Sequence, residues 1–447
     1  MRIVSRFLAD GVTATDRHRI IRGTLHSFLI QGFSVALIFA SNWWLVRSSN
    51  PEAYGNYVHV FNWVSILSVL VMGGRDDLVL AQLPKYLGAG RHRQLVGLIQ
   101  KANGWIFLSA LLICGAFLSL IAFFPLRSLS EHRSLFLIAM AAVYFSACLS
   151  LNQMILQALN HIRLSQIVEK LFRPLLLLLF TGLFRLSATR FDSRTLVILG
   201  TIVSGICCGG ILLLILRRTR RYVPEEGETI SPEKLAGKTF YFFAISLLNL
   251  LSTKITMLIL PLSTMQSDIG IFNVCYRYAD LLIFPFFLMH SVLPQLFARH
   301  DIHERDYTRS LFRESNKLMT LLALPLLLLN ILAGPFLLRL FGPAFSTGYT
   351  ALVYISLAQF LFSVFGPTNT ILMMQGRERY SALCLLVYVG ILAVTSRLLI
   401  PVWGITGGAL AILISSGVYN GLLAIVVYRV YGIVSFFFSP VSKSKSA

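Results

Sequence analysis

The sequence is short of charged residues. Asp, Glu, Lys and Arg make up 13% of its 447 residues, whereas apolar residues make up 56%. A soluble protein of this length needs about a quarter charged residues to cover its surface. Acidic residues are especially scarce, with 19 Asp and Glu against 39 Lys and Arg. The composition therefore excludes a soluble protein and predicts one solvated by lipid, with the basic excess in cytoplasmic loops.

The sequence also lacks the motifs of metal, redox and nucleic-acid sites. All six cysteines lie in apolar runs without the spacing of a zinc site or a disulfide framework, so we expect small buried residues. The N-terminus has no short apolar core followed by a cleavage site, and it should remain as a cytoplasmic tail. We expect no cofactor, no metal and no nucleic-acid partner.

Long apolar segments dominate what is present. A window of about 20 residues, the length that crosses a bilayer, predicts an all-α polytopic membrane protein with twelve transmembrane helices. The predicted spans are 24–46, 56–80, 104–125, 135–159, 165–185, 195–216, 239–262, 270–296, 318–338, 349–374, 381–400 and 404–428. The stretches 87–103 and 299–316 read equally as short amphipathic helices at the cytoplasmic interface or as charged loops.

The distribution of Lys and Arg predicts the orientation. With the N-terminus inside, the inside segments carry twenty-eight of these residues, the outside connections seven, and the spans four. Positive charge concentrates on the cytoplasmic side of membrane proteins. Both termini are therefore predicted to be cytoplasmic, with tails at 1–23 and 429–447.

The two halves of the sequence match at an offset of about 216 residues. The shared positions pair Ile155, Leu156, Arg163 and Ser165 with Ile371, Leu372, Arg379 and Ser381. Six spans per half is an even number, so both copies would cross the membrane in the same direction. We predict two parallel six-helix lobes around a central cavity, an N-lobe at 24–216 and a C-lobe at 239–428, joined by a cytoplasmic linker at 217–238.

Four basic residues lie inside the predicted spans, and they are the strongest functional signal. They are Arg75, Lys254, Arg277 and Arg397, and the intramembrane acids are chiefly Asp76, Asp77 and Asp280. A Lys or Arg at the centre of a membrane helix costs roughly 2.5 to 3.5 kcal/mol. Such residues normally face a protein interior or a water-filled cavity, so the imbalance predicts an interior that receives an anion.

Lys254 and Arg277 fall toward the outer half of the second lobe and could share one cavity wall. Lys254 could bind a phosphate oxygen, or burial and a nearby acid could neutralise it. Arg277 and Asp280 are three residues apart on one helix face. They form either a structural ion pair, which we favour, or a pair that releases Arg277 to a substrate phosphate.

Arg75, Asp76 and Asp77 point in three directions on a helix, directly after Gly73-Gly74. The glycines could break the helix, and one acid would pair with Arg75 while the other serves proton or cation coupling. Arg22, at the cytoplasmic start of the first span, either anchors the chain or attracts an anionic headgroup. Arg397 lies near a span end and is expected to snorkel to the interface.

Three segments carry a resemblance to a known family. They are AYGNYVHVFNWVSILSVLVMGGRDDLVLAQLPKYLGAGRHRQL, GIFNVCYRYADLLIFPFFLMHSVLPQLFARH and FGPAFSTGYTALVYISLAQFLFSVFGPTNTILMMQGRERYSA. This pattern resembles the Wzx-type polysaccharide flippases of the multidrug/oligosaccharidyl-lipid/polysaccharide exporter superfamily. The resemblance covers essentially the whole chain but has no single diagnostic motif. The acidic pair Asp76-Asp77 departs from it and has no assigned family role.

The resemblance implies a transporter and not an enzyme. Its substrate would be an anionic lipid-linked oligosaccharide, a polyprenyl-diphosphate sugar, moved from the inner to the outer leaflet of a bacterial inner membrane for surface polysaccharide such as O-antigen or lipopolysaccharide. Substrate-binding candidates are Lys254, Arg277, Arg75 and Arg22, and candidates for coupling or charge pairing are Asp76, Asp77 and Asp280. A proton or sodium ion is the candidate coupling ion, and a polysaccharide polymerase a candidate partner.

Two alternatives remain open. A drug or cation antiporter on the same fold should have a cavity rich in acids, whereas the spans here hold more basic than acidic residues. A membrane-embedded glycan polymerase needs a catalytic site, usually on a sizeable outside loop, and the predicted outside loops are all short.

The topology is testable by cysteine labelling in a background without the six native cysteines. Because the charge count differs fourfold between the two sides, Glu225→Cys in the linker and Ser346→Cys in an outside loop should react with impermeant reagent from opposite faces. Reaction of both from the same face would contradict the topology.

Overall fold

The computed structural model describes residues 32–123, 132–159, 161–185, 191–219, 233–286, 305–374 and 377–433. Within these ranges the regular elements are helices, with one parallel β-bridge between Ser49 and Phe191. The N-terminal tail with Arg22, most of the 217–238 linker and most of the C-terminal tail lie outside the described residues. We refer to 32–219 as the first half and 233–433 as the second half.

The described helices follow the apolar segments of the sequence. In chain order they are α1 (32–48), α2 (Pro51–Met72), α3 (Arg75–Gly88), α4 (His92–Phe123), α5 (Arg133–Ala158), α6 (Ile162–Ile167), α7 (Arg173–Arg185), α8 (Ser193–Thr219), α9 (Glu233–Ile259), α10 (Gln266–Ala279), α11 (Arg305–Leu332), α12 (Gly334–Arg339), α13 (Tyr349–Phe365), α14 (Thr368–Met374) and α15 (Glu378–Tyr431). A π-helical turn joins α6 to α7, and 3₁₀ turns follow α9 and α10.

Nine helical segments of the described chain are long and apolar enough to cross a membrane. The protein is therefore an all-helical membrane protein, as predicted, while the number of twelve spans stays a prediction. One of the nine, within α15, is a hairpin of two arms. Gly404 leaves the helical conformation at φ 55°, and the hydroxyls of Thr395 and Ser415 then meet across the arms at 3.4 Å. The hairpin reverses where the sequence predicts the boundary between two spans.

The prediction for the charged stretches 87–103 and 299–316 is wrong over most of their described length. Helix α4 begins at His92 and runs without a break into the apolar segment, and α11 does the same from Arg305. In α4, a buried stripe that includes Leu95, Ile99 and Ala102 continues into Ile106. Because this spacing keeps one face against the protein, the polar stretch extends the membrane helix and does not lie along the interface as a separate element.

The predicted span 56–80 is broken at Gly73 and Gly74, as the sequence suggested it could be. Both glycines have left-handed φ values, 54° and 75°, which end α2 and start α3. The Arg75 guanidinium donates to the carbonyls of Val71 at 3.3 Å and Met72 at 3.0 Å. Backbone carbonyls freed at membrane depth need such partners. Arg75 therefore caps the broken helix.

Neither aspartate after the break forms an ion pair with Arg75, so that predicted pairing is wrong. Asp76 and Asp77 lie in the first turn of α3, where the helix dipole favours negative charge. Asp77 accepts a hydrogen bond from Ser246 of α9 at 3.1 Å and so links the two halves. The charge of Arg75 is satisfied by carbonyls and by the Trp105 ring, 5.5 Å from its guanidinium carbon.

Most of the buried apolar residues in the described chain form two clusters. One draws only on residues 60–215, and the other lies mostly within 257–433 but also takes residues from the start of the chain, including Leu45 and Val58. The ends of α1 and α2 that are predicted to face outside therefore pack with the second half.

Helices α2 and α10 touch through their backbones at this end. A Cβ atom on Gly55 would lie 1.7 Å from the carbonyl oxygen of Gln266, and one on Gly270 would lie 3.0 Å from the carbonyl oxygen of Pro51. Glycine at both positions lets the helices approach this closely, as small residues do in membrane interfaces. The backbones of the two halves are therefore in direct contact at this crossing.

We expect Gly55→Ala to force α2 and α10 apart and to lower stability by roughly 1–3 kcal/mol. Thermal unfolding in detergent measures the effect. Gly97→Ala in α4 is the matched control, because nothing lies within 4 Å of its Cβ position, and it should leave stability unchanged or slightly higher. Equal melting temperatures for both variants would contradict the close crossing.

Arg75→Ala should lower stability by about 1–3 kcal/mol, because two carbonyls at the end of α2 lose a charged donor. Arg397→Ala is the control, since Arg397 is exposed on its helix. If Arg75→Ala kept full stability but lost transport, Arg75 would be a substrate residue and not a cap.

Candidate functional site

A cavity of about 600 Å³ lies between the two halves. Five parts of the chain supply its walls: α1, α2, the α6–α7 segment, α9, and α10 with the 3₁₀ turn that follows it. The polar and charged lining residues are Ser34, Ser41, Asn42, Tyr57, Asn62, Ser65, Lys170, Arg173, Lys254, Asn273, Arg277 and Asp280. A volume of several hundred cubic ångströms is typical of small-molecule binding sites.

Among the described residues, the cavity lining carries four basic residues and one acidic residue. Lys170 and Arg173 come from the first half, and Lys254, Arg277 and Asp280 come from the second. Charges inside a membrane protein are only weakly screened, so the positive potentials of the basic residues add up in the cavity. The lining therefore has a net positive character suited to an anion.

The predicted site residues separate into two groups. Lys254, Arg277 and Asp280 line the cavity, whereas Arg75, Asp76 and Asp77 are not among its lining residues. Arg22 lies outside the described residues. The substrate and coupling roles assigned to these residues from sequence stay predictions.

Lys254 is held by an amide from the opposite half. Its ammonium donates to the side-chain oxygen of Asn62 in α2 at 3.0 Å. The ammonium also lies close enough to Arg277 and Asp280 to experience both charges. The Asn62 oxygen is a neutral acceptor, so a charged ligand oxygen can compete with it for the ammonium.

Arg277 and Asp280 do not form the ion pair that their spacing suggested. No contact within 4.0 Å joins them; Asp280 instead accepts from the Gln359 amide of α13 at 3.4 Å. The backbone also departs from a regular helix here, because α10 ends at Ala279 and the chain tightens into a 3₁₀ turn from Asp280. The Nε atom of Arg277 is buried without a hydrogen-bond partner. Because an unpaired buried donor is unfavourable, this guanidinium is suited to bind an anion.

Lys170 and Arg173 are cavity residues that the sequence analysis missed. The charge count places both with the cytoplasmic residues, although they fall inside the predicted span 165–185. The π-helical turn at Val168–Phe172 adds a residue to that turn of helix and shifts the faces that follow. Arg173 also donates to Ser204 of α8 at 3.4 Å. The sequence feature that could have identified them is the i, i+3 spacing of two basic residues directly before Pro174.

A buried hydrogen-bond chain ties the halves together at the end of the cavity predicted to face outside. Asn273 of α10 donates to the Tyr54 hydroxyl at 2.8 Å, and this hydroxyl donates to Asn42 of α1 at 3.0 Å. The Gly55–Gly270 crossing lies beside it. Helices α1, α2 and α10 are therefore joined at this end by both polar and backbone contacts.

Solved structures with this fold are transporters and a flippase. A multidrug resistance MATE family transporter of the MOP superfamily, in an inward-facing conformation, matches with a TM-score of 0.69 and 13% identity over 89% of this chain and 94% of its own. The lipid II flippase MurJ, in an inward closed conformation, matches with a TM-score of 0.69 and 14% identity over 89% and 86%.

A third match is a MOP superfamily transporter from Pyrococcus furiosus, described as having a binding pocket of reverse polarity that suggests a different function. Its TM-score is 0.63 and its identity 14%, over 92% of this chain and 95% of its own. At these identities the likeness establishes the fold.

No curated protein sequence matches the chain. The sequence profile of one family, described as polysaccharide biosynthesis protein, matches residues 20–300. This match spans more than half of the chain and includes the helices that supply most of the cavity. The chain therefore belongs to the polysaccharide biosynthesis protein family.

Proposed function

We propose that this protein is a flippase for an anionic lipid-linked oligosaccharide. It would move a polyprenyl-diphosphate sugar from the inner to the outer leaflet of the bacterial inner membrane for surface polysaccharide synthesis. The observation that carries the proposal is the cavity between the halves, whose described lining has four basic residues against one acid. Family membership supplies the polysaccharide context.

Cavity charge separates this proposal from a cation or drug antiporter. A fold alone does not fix the substrate, and the matched structures include both a multidrug transporter and a lipid flippase. A cationic substrate would meet repulsion from Lys170, Arg173, Lys254 and Arg277, and Asp280 is the one carboxylate among the described lining residues. The charge balance therefore favours the flippase.

The proposed binding mode uses the two basic residues of the second half. The planar guanidinium of Arg277 is suited to two parallel hydrogen bonds with a phosphate, and the Lys254 ammonium would act as a point charge beside it. Lys170 and Arg173 would face the same diphosphate or its first sugars from the opposite wall. Asp280, held by Gln359, would limit the net positive charge when the cavity is empty.

We propose the twelve-span arrangement of two parallel six-helix lobes, with both termini cytoplasmic, as the frame for this transport. The helix starts support the repeat. Helices that begin at Pro51, Arg133 and Ile162 have counterparts 215 or 216 residues later, which begin at Gln266, Tyr349 and Glu378. Asp76 and Asp77 stay candidates for coupling to a proton or sodium ion, and a polysaccharide polymerase stays a candidate partner.

Export of surface glycan at unchanged protein level tests the site. Lys254→Arg should keep part of the export and Lys254→Ala should lose most of it, because a point charge matters more than its shape. Arg277→Lys should be nearly as defective as Arg277→Ala, because lysine cannot replace a bidentate contact.

Arg397→Ala, an arginine on the exposed helix surface, is the control and should export normally. Full export by a Lys254→Ala, Arg277→Ala double variant would overturn the assignment of these two residues to the substrate site.

A further inference from the structure

The Lys254–Asn62 hydrogen bond lies in the cavity lining and joins the two halves. Lys254 belongs to α9 and Asn62 to α2, and their donor and acceptor atoms are 3.0 Å apart. Helix α2 also meets the second half at Gly55, and α3 does so at Asp77, which accepts a hydrogen bond from Ser246. Of these three contacts, the one at Lys254 uses a charged side chain that lines the cavity.

Asn62 is placed to orient the lysine and not to neutralise it. Its side chain is 3% exposed, and its amide nitrogen donates to the Met257 sulfur at 3.4 Å. With the nitrogen engaged there, the amide oxygen faces Lys254. A neutral amide oxygen is a weaker acceptor for an ammonium than a charged phosphate oxygen. An anion in the cavity therefore competes with Asn62 for Lys254 on favourable terms.

The charges around Lys254 strengthen this competition. Arg277 lies close enough to repel the ammonium, and Asp280 close enough to attract it. No carboxylate of the described residues lies within 4.0 Å of it, so its direct side-chain partner is the Asn62 amide. A phosphate between Lys254 and Arg277 would remove the repulsion and replace the neutral partner with a charged one.

We propose that Asn62 is a positioning residue that acts as a latch released by the substrate. This inference rests on the proposed function, since it requires a phosphate-bearing substrate at Lys254. In the empty protein, Asn62 orients the ammonium into the cavity and holds α2 against α9. When a phosphate binds Lys254, this contact between the halves is lost and the halves separate more readily.

The latch makes the conformational change depend on the substrate. A ligand shifts a conformational equilibrium only as far as it binds one state better than the other. Here the state with α2 against α9 offers Lys254 a competing partner, whereas a state with the halves apart does not. The substrate therefore binds the separated state more strongly, and in the empty protein α2 stays against α9.

Two substitutions at Asn62 test the latch in the purified full-length protein in nanodiscs. The probe is farnesyl diphosphate, a prenyl diphosphate without sugar. Spin labels at Arg194→Cys and Thr347→Cys, exposed positions of opposite halves, report the distance between the halves in a background without native cysteines. Asn420→Leu, a buried helical asparagine bonded within its own helix, is the matched control.

Asn62→Asp places a carboxylate against Lys254. It should weaken probe binding roughly tenfold and abolish the distance change that the probe causes in the wild type. Asn62→Leu removes the acceptor, so the label distances of the empty protein should shift toward those of the probe-bound wild type. Asn420→Leu should behave like the wild type in both measurements.

The two possible failures are distinguishable. The latch is overturned if the wild type binds the probe and both Asn62 variants keep the wild-type affinity and label distances. The proposed function would then still stand. A wild type that does not bind the probe, although folded by its melting temperature, would overturn the proposed anion site and the latch with it.

Discussion

The structure depends on one constraint: a charge held at membrane depth needs a partner. Water is absent there, so each basic residue must be hydrogen-bonded, face a cavity or reach the interface. Arg75 caps a broken helix, Lys254 donates to an amide of the other half, and Arg397 lies on the exposed surface. Arg277 has a buried donor without a partner at the cavity wall. Sorting the residues by how each meets this constraint separates structural charges from those available to a ligand.

Backbone irregularities place these charges. The Gly73-Gly74 break lets Arg75 fold back onto the carbonyls of α2, and the π-helical turn before α7 brings Lys170 and Arg173 to the cavity. The 3₁₀ turn at Asp280 separates that carboxylate from Arg277. A set of ideal straight helices with the same sequence would bury several of these charges against lipid or pair them with one another.

Much of this could be predicted because it depends on local sequence. Apolar length located the helices, and the unusual charges at Lys254 and Arg277 pointed to the residues that line the cavity. The errors arose where distant contacts decide the outcome. The i, i+3 spacing of Arg277 and Asp280 predicts a pair on a regular helix, but the 3₁₀ turn and Gln359, remote in sequence, prevent it. The continuation of α4 through its polar start depends on packing against other helices. The π-helical turn leaves no clear trace in hydrophobic periodicity, so Lys170 and Arg173 were missed.

The crossing of α2 and α10 at Gly55 and Gly270 has a consequence for speed. Side chains that interlock across a helix interface must leave their rotamers before the helices can part, which adds an activation barrier. Two glycine backbones in contact have no rotamers to leave, and lipid supplies no hydrophobic force that holds the helices together. Separation at this point is limited by breaking the hydrogen bonds of Asn42, Tyr54 and Asn273. In the proposed transport cycle, a few polar groups would therefore set the rate of opening at this end, and substitutions among them would change turnover more than affinity.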